Sequence, residues 1–261
     1  MQTAQLDAYS DDLYRALRDA TPVAPLTERE PEITVEDAYR ISEALLRRRT
    51  ADGERVIGKK IGATSRAVQD MLNVRQPDFG YLTDRMLATS DAPIRIEGSL
   101  IAPRAEGEVA FILRRRLQGP GVTNAQVLAA TECVMPCFEI VDSRIRDWKI
   151  RIQDTVADNA SCGLFVLGGQ AVSPARVDLT TCGMVVECNG EVISTGAGAA
   201  ALGSPVNCVT WLANTLGQFG VPLEAGEVIL SGSLVPLHPV GPGDALQLRI
   251  GDIGTASVRF C

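Results

Sequence analysis

The sequence predicts an α+β fold, a mostly β body preceded by a helical amino-terminal cap, and three observations predict it. Apolar residues recur at helical spacing through roughly the first 55 positions, most later segments read as short strands, and these strands do not alternate with helices as in a doubly wound sheet. With 261 residues and 46% apolar content, the chain can bury a substantial core. Residues 1–55 are expected to form the cap and residues 56–261 a mixed-β catalytic domain, the two making one structural unit.

In the cap, Leu6, Tyr9, Leu13, Ala16 and Leu17 mark one face of a first helix, closed by Pro22 and Pro25. Thr34 caps a second, with Glu36 and Asp37 in its first turn and Val35, Ala38, Ile41, Leu45 and Leu46 along its buried face. Arg47, Arg48 and Arg49 suit its carboxyl end as solvated cations. Residues 56–61 then read as a strand, 65–72 as a short helix capped by Ser65, and 75–80 as a turn-rich loop around Pro77. Lys60 and Asp78 thereby fall on irregular backbone. Strands follow at 109–113, 134–141, 164–167 and 184–194, the last folded on Asn189-Gly190, where both positions accept positive φ. Helices interrupt them from Thr123 to about Cys133 and from Ser204, with Pro205 in its first position, to about Gly220. Residues 227–230, 245–250 and 257–260 supply the last strands.

Composition removes several functions. The formal charge of −7, with no basic stripe, argues against nucleic acid and anionic membrane as partners. Asp7, Asp11 and Asp12 stand where a signal peptide would carry cations and an apolar run, so a cytoplasmic protein is expected. The seven cysteines lack paired Cys-x-x-Cys units and read as reduced, mostly buried thiols. His238 is the only histidine and reads as structural or solvent-facing, which disfavours a zinc site or a Ser-His-Asp triad.

Carboxylates carry the strongest chemical signal. Glu106 and Glu108 flank Gly107 at the start of an apolar strand, and residues two apart in extended chain point the same way. Glu139 lies inside the run Val134-Met135-Pro136-Cys137-Phe138-Glu139-Ile140-Val141, where an ionised carboxylate is costly to bury without a partner. Three acids without histidine favour a hard cation, Mg²⁺ or Mn²⁺. One of Lys59 and Lys60 must point inward if the strand packs on one face, and an inward ammonium would stabilise an oxyanion or pass a proton. Asp78 has two readings, a site acid or a turn former. The polar run Gln153-Asp154-Thr155-Val156-Ala157-Asp158-Asn159-Ala160-Ser161 groups side chains able to orient water, although such residues are also common in loops. Thr195-Gly196-Ala197-Gly198 has the wrong spacing for a dinucleotide loop and is either a backbone cradle for a ligand carboxylate or an ordinary turn. Ser231-Gly232-Ser233 is likewise a ligand-facing loop or a plain turn.

Gly58-Lys59-Lys60-Ile61-Gly62 with Thr64-Ser65, Met71-Leu72 through Gln76-Pro77-Asp78-Phe79-Gly80, Glu106-Gly107-Glu108, Val156-Ala157-Asp158-Asn159-Ala160-Ser161 and Gly203-Ser204-Pro205-Val206-Asn207 together resemble the hydratase and decarboxylase branch of the fumarylacetoacetate hydrolase superfamily, over nearly the whole chain. The resemblance implies a mixed β-roll or barrel-like core and a metal held by Glu106, Glu108 and Glu139. It implies catalytic roles for Lys60, Asp78 and Ser161, and substrate contacts from Leu72, Asp158, Asn159 and Ser233. The stretch Trp148-Lys149-Ile150-Arg151-Ile152-Gln153-Asp154-Thr155 is more similar to the branch's hydratases than to its decarboxylases, implying hydration of a small unsaturated 2-hydroxy acid in meta-cleavage degradation of aromatic compounds. Decarboxylation of 4-oxalocrotonate at the same metal site, hydrolytic carbon-carbon cleavage and a non-catalytic partner subunit are the alternatives. A homo-oligomer, in association with a pathway decarboxylase or aldolase, is the implied assembly.

Overall fold

The computed structural model describes the chain from Met1 to Cys261, the side chain of Ala67 excepted. Helices α1 (Thr3–Asp19), α2 (Leu26–Arg29) and α3 (Val35–Ala51) form the cap. They are followed by β1 (Val56–Gly62), α4 (Arg66–Met71), β2 (Asp78–Thr83), β3 (Leu87–Ala88), β4 (Arg104–Leu113), α5 (Asn124–Ala130) and β5 (Thr131–Val141). The remainder is α6 (Ile152–Ala157), β6 (Cys162–Leu167), β7 (Gly183–Cys188), β8 (Glu191–Ala197), α7 (Pro205–Gly217), β9 (Val228–Ser233), β10 (His238–Pro239), β11 (Ala245–Ile250) and β12 (Gly254–Arg259). No helix among the described residues is long and apolar enough to cross a membrane.

Two sheets make the body. The larger runs β2-β1-β9-β4-β5-β6-β3, with β10 paired to β4, and the smaller runs β12-β11-β7-β8. β2 and β3 are opposite ends of the larger sheet, yet only Asp84–Met86 separates them in sequence. Four Cα steps span at most about 15 Å. The larger sheet must therefore curl until its edges nearly meet, which makes a barrel-like shell. Leu82, Met86, Ala110, Cys137, Cys162, Phe165, Val228 and Leu230 fill its inside. The outer face of β4 and β5 packs on the smaller sheet through Val109, Phe111, Phe138, Ile140, Met184 and Leu248. Gly107 belongs to this outer face, because a Cβ there would run into Met184.

The cap has its own apolar cluster, in which Leu6, Tyr9, Leu13, Ile41 and Leu45 meet Val156 and Ala157 of α6. Thr27 reinforces it, donating from its backbone N (3.0 Å) and Oγ1 (2.7 Å) to the buried Asp154 carboxylate. Thr34 caps α3 as the sequence predicts, accepting from the Asp37 backbone N. The arginine run is only partly solvated. Arg49 is buried, donating to Glu54 (2.9 Å) and to Thr83 Oγ1 (2.9 Å), and so ties the end of α3 to the end of β2.

Other expectations change with tertiary context. β4 begins at Arg104 rather than near Val109, so Glu106 and Glu108 lie within the strand. Asp78 opens β2, opposite Gly62 in register, and Lys60 sits inside β1 opposite Gly80, so neither is on irregular backbone. Lys59 and Lys60 both point into the protein, at 3% and 2% exposed, because both faces of β1 are covered. Lys59 meets the Glu227 carboxylate at 2.6 Å on one side, and Lys60 enters the shell on the other. Helix α5 ends at Ala130, where Thr131 already starts the central strand β5.

Candidate functional site

The site lies at the end of the shell where β1, β5 and β9 finish and β2, β4 and β6 begin. Antiparallel register sets Glu106 of β4 directly opposite Glu139 of β5, and Glu108 follows on the same face. One ligand oxygen from each of the three lies within 4.8 Å of the others. Glu108 and Glu139 are wholly buried, whereas Glu106 is half-buried and marks the opening. Glu108 Oε2 accepts from the Gly232 backbone N at 2.8 Å, at a β9 bulge where Gly232 has φ +92° and a Cβ would strike Thr64. Ser231-Gly232-Ser233 is thus part of the site wall.

Glu108 Oε1 and both Glu139 oxygens are buried without a hydrogen-bond partner. Lys60 Nζ lies 3.1 Å from Glu139 Oε1, within ion-pair range but off the hydrogen-bond direction, and it donates to the Ala160 carbonyl at 3.0 Å. Asp78 Oδ1 is also buried without a partner. Burial first, then the charge of Glu139, pushes the Glu106 pKa up to about 8. Burial, Glu139 and Glu106 drive Glu108 well above the usual carboxylate range. Burial raises Asp78, against the pull of Lys60. Burial opposes the charge on Lys60, yet Glu139 foremost, with Cys162, Asp78 and Glu106, raises its pKa above that of ordinary lysine. Buried carboxyl oxygens lacking donors, crowded until their ionisation is resisted, fit a hard divalent cation with oxygen ligands.

This crowding has a pH signature. The metal-free fold holds a proton on Glu106 that the unfolded chain releases above its ordinary range, so stability from this group is full below about pH 4.5 and is lost as pH rises through about 8. A cation competes with that proton. Saturating Mg²⁺ is therefore expected to raise the melting temperature more at about pH 8.5 than at about pH 6. Thermal scans at both values check this, and an equal or smaller rise at the higher pH would remove the carboxylates as the cation site.

The structure brings Lys60, Asp78, Glu106, Glu108, Glu139 and the turn containing Ser161 together. Ser161 Oγ is buried 3.0 Å from Thr155 Oγ. Ser233 Oγ donates to the Val235 carbonyl at 2.6 Å and accepts from the Val235 backbone N at 3.3 Å. Asp158 and Asn159, to which the resemblance gives substrate contacts, both have partners within the protein. Both Asp158 oxygens bind Arg144, one its Nε and the other its backbone N. The Asn159 side chain accepts from the Tyr81 backbone N (2.7 Å) and donates to its carbonyl (2.9 Å). Both side chains thereby help to hold the turn at the site. Leu72 is half-buried at the end of α4, on the loop joining Gly62 to Asp78. Gly196 and Gly198 press against the Leu234 and Leu179 carbonyls, so this stretch is a packing feature and not a cradle. Sequence reasoning missed Arg144, because nothing in local spacing pairs it with Asp158. Ser231, which the sequence offered as part of a ligand-facing loop or a plain turn, has its Oγ buried without a partner beside the Gly232 bulge.

The family model described as fumarylacetoacetate (FAA) hydrolase C-terminal matches residues 52–260. The chain is 68% identical to a 2-hydroxypent-2,4-dienoate hydratase of Pseudomonas putida over 221 residues, covering 85% of this chain and 100% of that protein. It is 59% identical to a 2-hydroxyhexa-2,4-dienoate hydratase of Comamonas testosteroni, covering 98% and 97%. The structure of 4-oxalocrotonate decarboxylase from Pseudomonas putida G7, complexed with magnesium and adipate, superposes with a TM-score of 0.97 at 36% identity, covering 100% of this chain and 99% of that one. The chain belongs to the fumarylacetoacetate hydrolase family, in the branch that holds these hydratases and this decarboxylase.

Proposed function

We propose that this chain is a divalent-metal-dependent hydro-lyase that adds water to 2-hydroxypenta-2,4-dienoate, by way of its 2-oxo-3-ene tautomer, to give 4-hydroxy-2-oxopentanoate in meta-cleavage degradation of aromatic compounds. The observation that carries it is the buried cluster of Glu106, Glu108 and Glu139 facing the Lys60 ammonium. Identity of 68% and 59% to dienoate hydratases supports the choice of reaction. Glu106, Glu108 and Glu139 would hold Mg²⁺ or Mn²⁺, which supplies Lewis acidity at the carboxylate and C2-oxygen end of the substrate.

The balance of atoms is simple. Ketonisation moves a proton from the C2 hydroxyl to C5, and hydration then puts hydroxyl on C4 and hydrogen on C3. Lys60 stabilises the negative charge that grows on the C2 oxygen, from a buried position where such an interaction is strong. Asp78, its pKa raised by burial and its Oδ1 buried without a partner, is the group suited to take and return the proton. Ser161, backed by Thr155, positions the attacking water. Ser233, opposite Glu108 in register, and Leu72, half-buried at the end of α4, are the residues suited to contact the substrate.

The 4-oxalocrotonate decarboxylase superposition supports one rival, loss of a distal carboxylate as CO₂ at the same metal site. Each acid is supplied separately with Mg²⁺ while conjugated absorbance and CO₂ are followed. Hydration of the dienoate without CO₂ from 4-oxalocrotonate is expected, and the reverse pattern would replace the hydratase by the decarboxylase. The proposal includes a cytoplasmic homo-oligomer in which cap and body act as one unit. Phe219, 73% exposed just beyond α7, is an apolar residue suited to a subunit contact.

A further inference from the structure

Arg144 heads the bulkiest fully buried side chains, at 2% exposed, in the connection between β5 and α6. Its guanidinium donates to Asp158 Oδ1, to the Asp158 carbonyl (2.6 Å), to the Cys162 carbonyl (3.1 Å) and to the Asp142 carbonyl. Its backbone N adds a bond to Asp158 Oδ2 at 2.9 Å. Asp158 and Cys162 bracket three residues, Asn159, Ala160 and Ser161, whose φ values are 54°, 52° and 53°.

Left-handed backbone is disfavoured for every residue with a Cβ, and it persists only where surrounding contacts over-determine it. The Arg144 clamp closes the turn from one side. From the other, the Asn159 side chain locks onto the Tyr81 backbone, and Gly80 has no room for a Cβ beside the Asn159 carbonyl. The result of the inversion is functional geometry, since the Ala160 carbonyl meets Lys60 Nζ at 3.0 Å and Ser161 Oγ meets Thr155.

We infer that Arg144 is a positioning residue for the reaction: by gripping Asp158 and Cys162 it holds the left-handed turn whose Ala160 carbonyl orients the Lys60 ammonium and whose Ser161 hydroxyl faces the water. The inference rests on the roles given to Lys60 and Ser161 under Proposed function. Arg144 touches neither substrate nor metal ligand in this scheme and acts entirely through the turn.

Arg144→Lys keeps a cation beside Asp158 but offers one nitrogen where the planar guanidinium serves several acceptors. With Mg²⁺ present, kcat is expected to fall by about 30-fold or more, while KM and the Mn²⁺ dissociation constant stay within about twofold of wild type. The carboxylates are fixed by β4 and β5, so a positioning defect leaves cation affinity alone. Adding Ala160→Gly, which relaxes the middle of the turn, is expected to recover part of the lost kcat. Wild-type kcat in a folded Arg144→Lys protein, proportionate loss of kcat and Mn²⁺ affinity, or no recovery on adding Ala160→Gly would overturn the inference. If Arg144→Lys does not fold, Asn159→Ala removes the opposite clamp and leaves the ion pair intact. Its kcat should then fall with Mn²⁺ affinity retained, and unchanged kcat would overturn the inference. All variants are compared on whichever of 2-hydroxypenta-2,4-dienoate and 4-oxalocrotonate the wild type turns over, so failure of the hydratase assignment remains a separate result.

Discussion

Glu139→Gln is expected to lower kcat/KM by about three orders of magnitude and to abolish the rise in melting temperature produced by Mg²⁺. The substitution keeps the shape of the side chain and removes one charge. Glu139 contributes two buried oxygens with no hydrogen-bond donor, and register sets it directly against Glu106. A Lewis-acid interaction is worth several kcal/mol, and about 1.4 kcal/mol corresponds to each tenfold in rate. Loss of that much through one ligand gives the stated magnitude.

The fold should survive the change. Lys60 loses its nearest counterion, but Asp78 and Glu106 remain close enough to favour its charged form. Glu106 and Glu108 are relieved of the neighbouring charge that most raises their pKa values. Mn²⁺ titration, thermal scans with and without Mg²⁺ and steady-state turnover test the prediction together. A folded Glu139→Gln protein with wild-type cation affinity would take Glu139 out of the metal site.

Much of this site is legible in the sequence, and the legible part is local. Glu106 and Glu108 share a face because strand period is two, whatever the strand packs against. Glu139 declares itself by standing in an apolar run that becomes the central strand β5. What stays hidden is set by distant chain. Lys59 and Lys60 look like an either-or choice, and both are buried because Glu227 and Glu139 come from elsewhere to meet them. Asp158 and Asn159 look like polar residues awaiting a ligand, and their partners prove to be Arg144 and the Tyr81 backbone. The start of β4 at Arg104 is missed because Arg104, Glu106 and Glu108 give its first half a polar face, which becomes intelligible only once that face is the interior of a metal-binding shell. Curling of the larger sheet is likewise a property of strand order, visible when β2 and β3 prove to be its opposite edges.

Lys60→Met separates charge stabilisation from cation binding, and the two are expected to move in opposite directions. Methionine fills much of the same volume without the ammonium, so kcat should fall by about 10³-fold, in the range for losing a preorganised charge or a proton-transfer group. Breaking a buried pair from one side costs about 3–5 kcal/mol, because the remaining charge has no compensation. Here that charge is Glu139, wholly buried and already without a hydrogen-bond donor. The metal-free variant should melt below wild type, and a cation among the three carboxylates should restore what the ammonium supplied. Its Mg²⁺-induced rise in melting temperature is therefore expected to exceed that of wild type, and its Mn²⁺ affinity to be equal or higher. Glu139→Gln loses turnover and cation binding together, whereas Lys60→Met loses turnover alone. If Lys60→Met instead loses cation affinity in proportion to kcat, Lys60 shapes the carboxylate cluster and does not stabilise the substrate oxyanion.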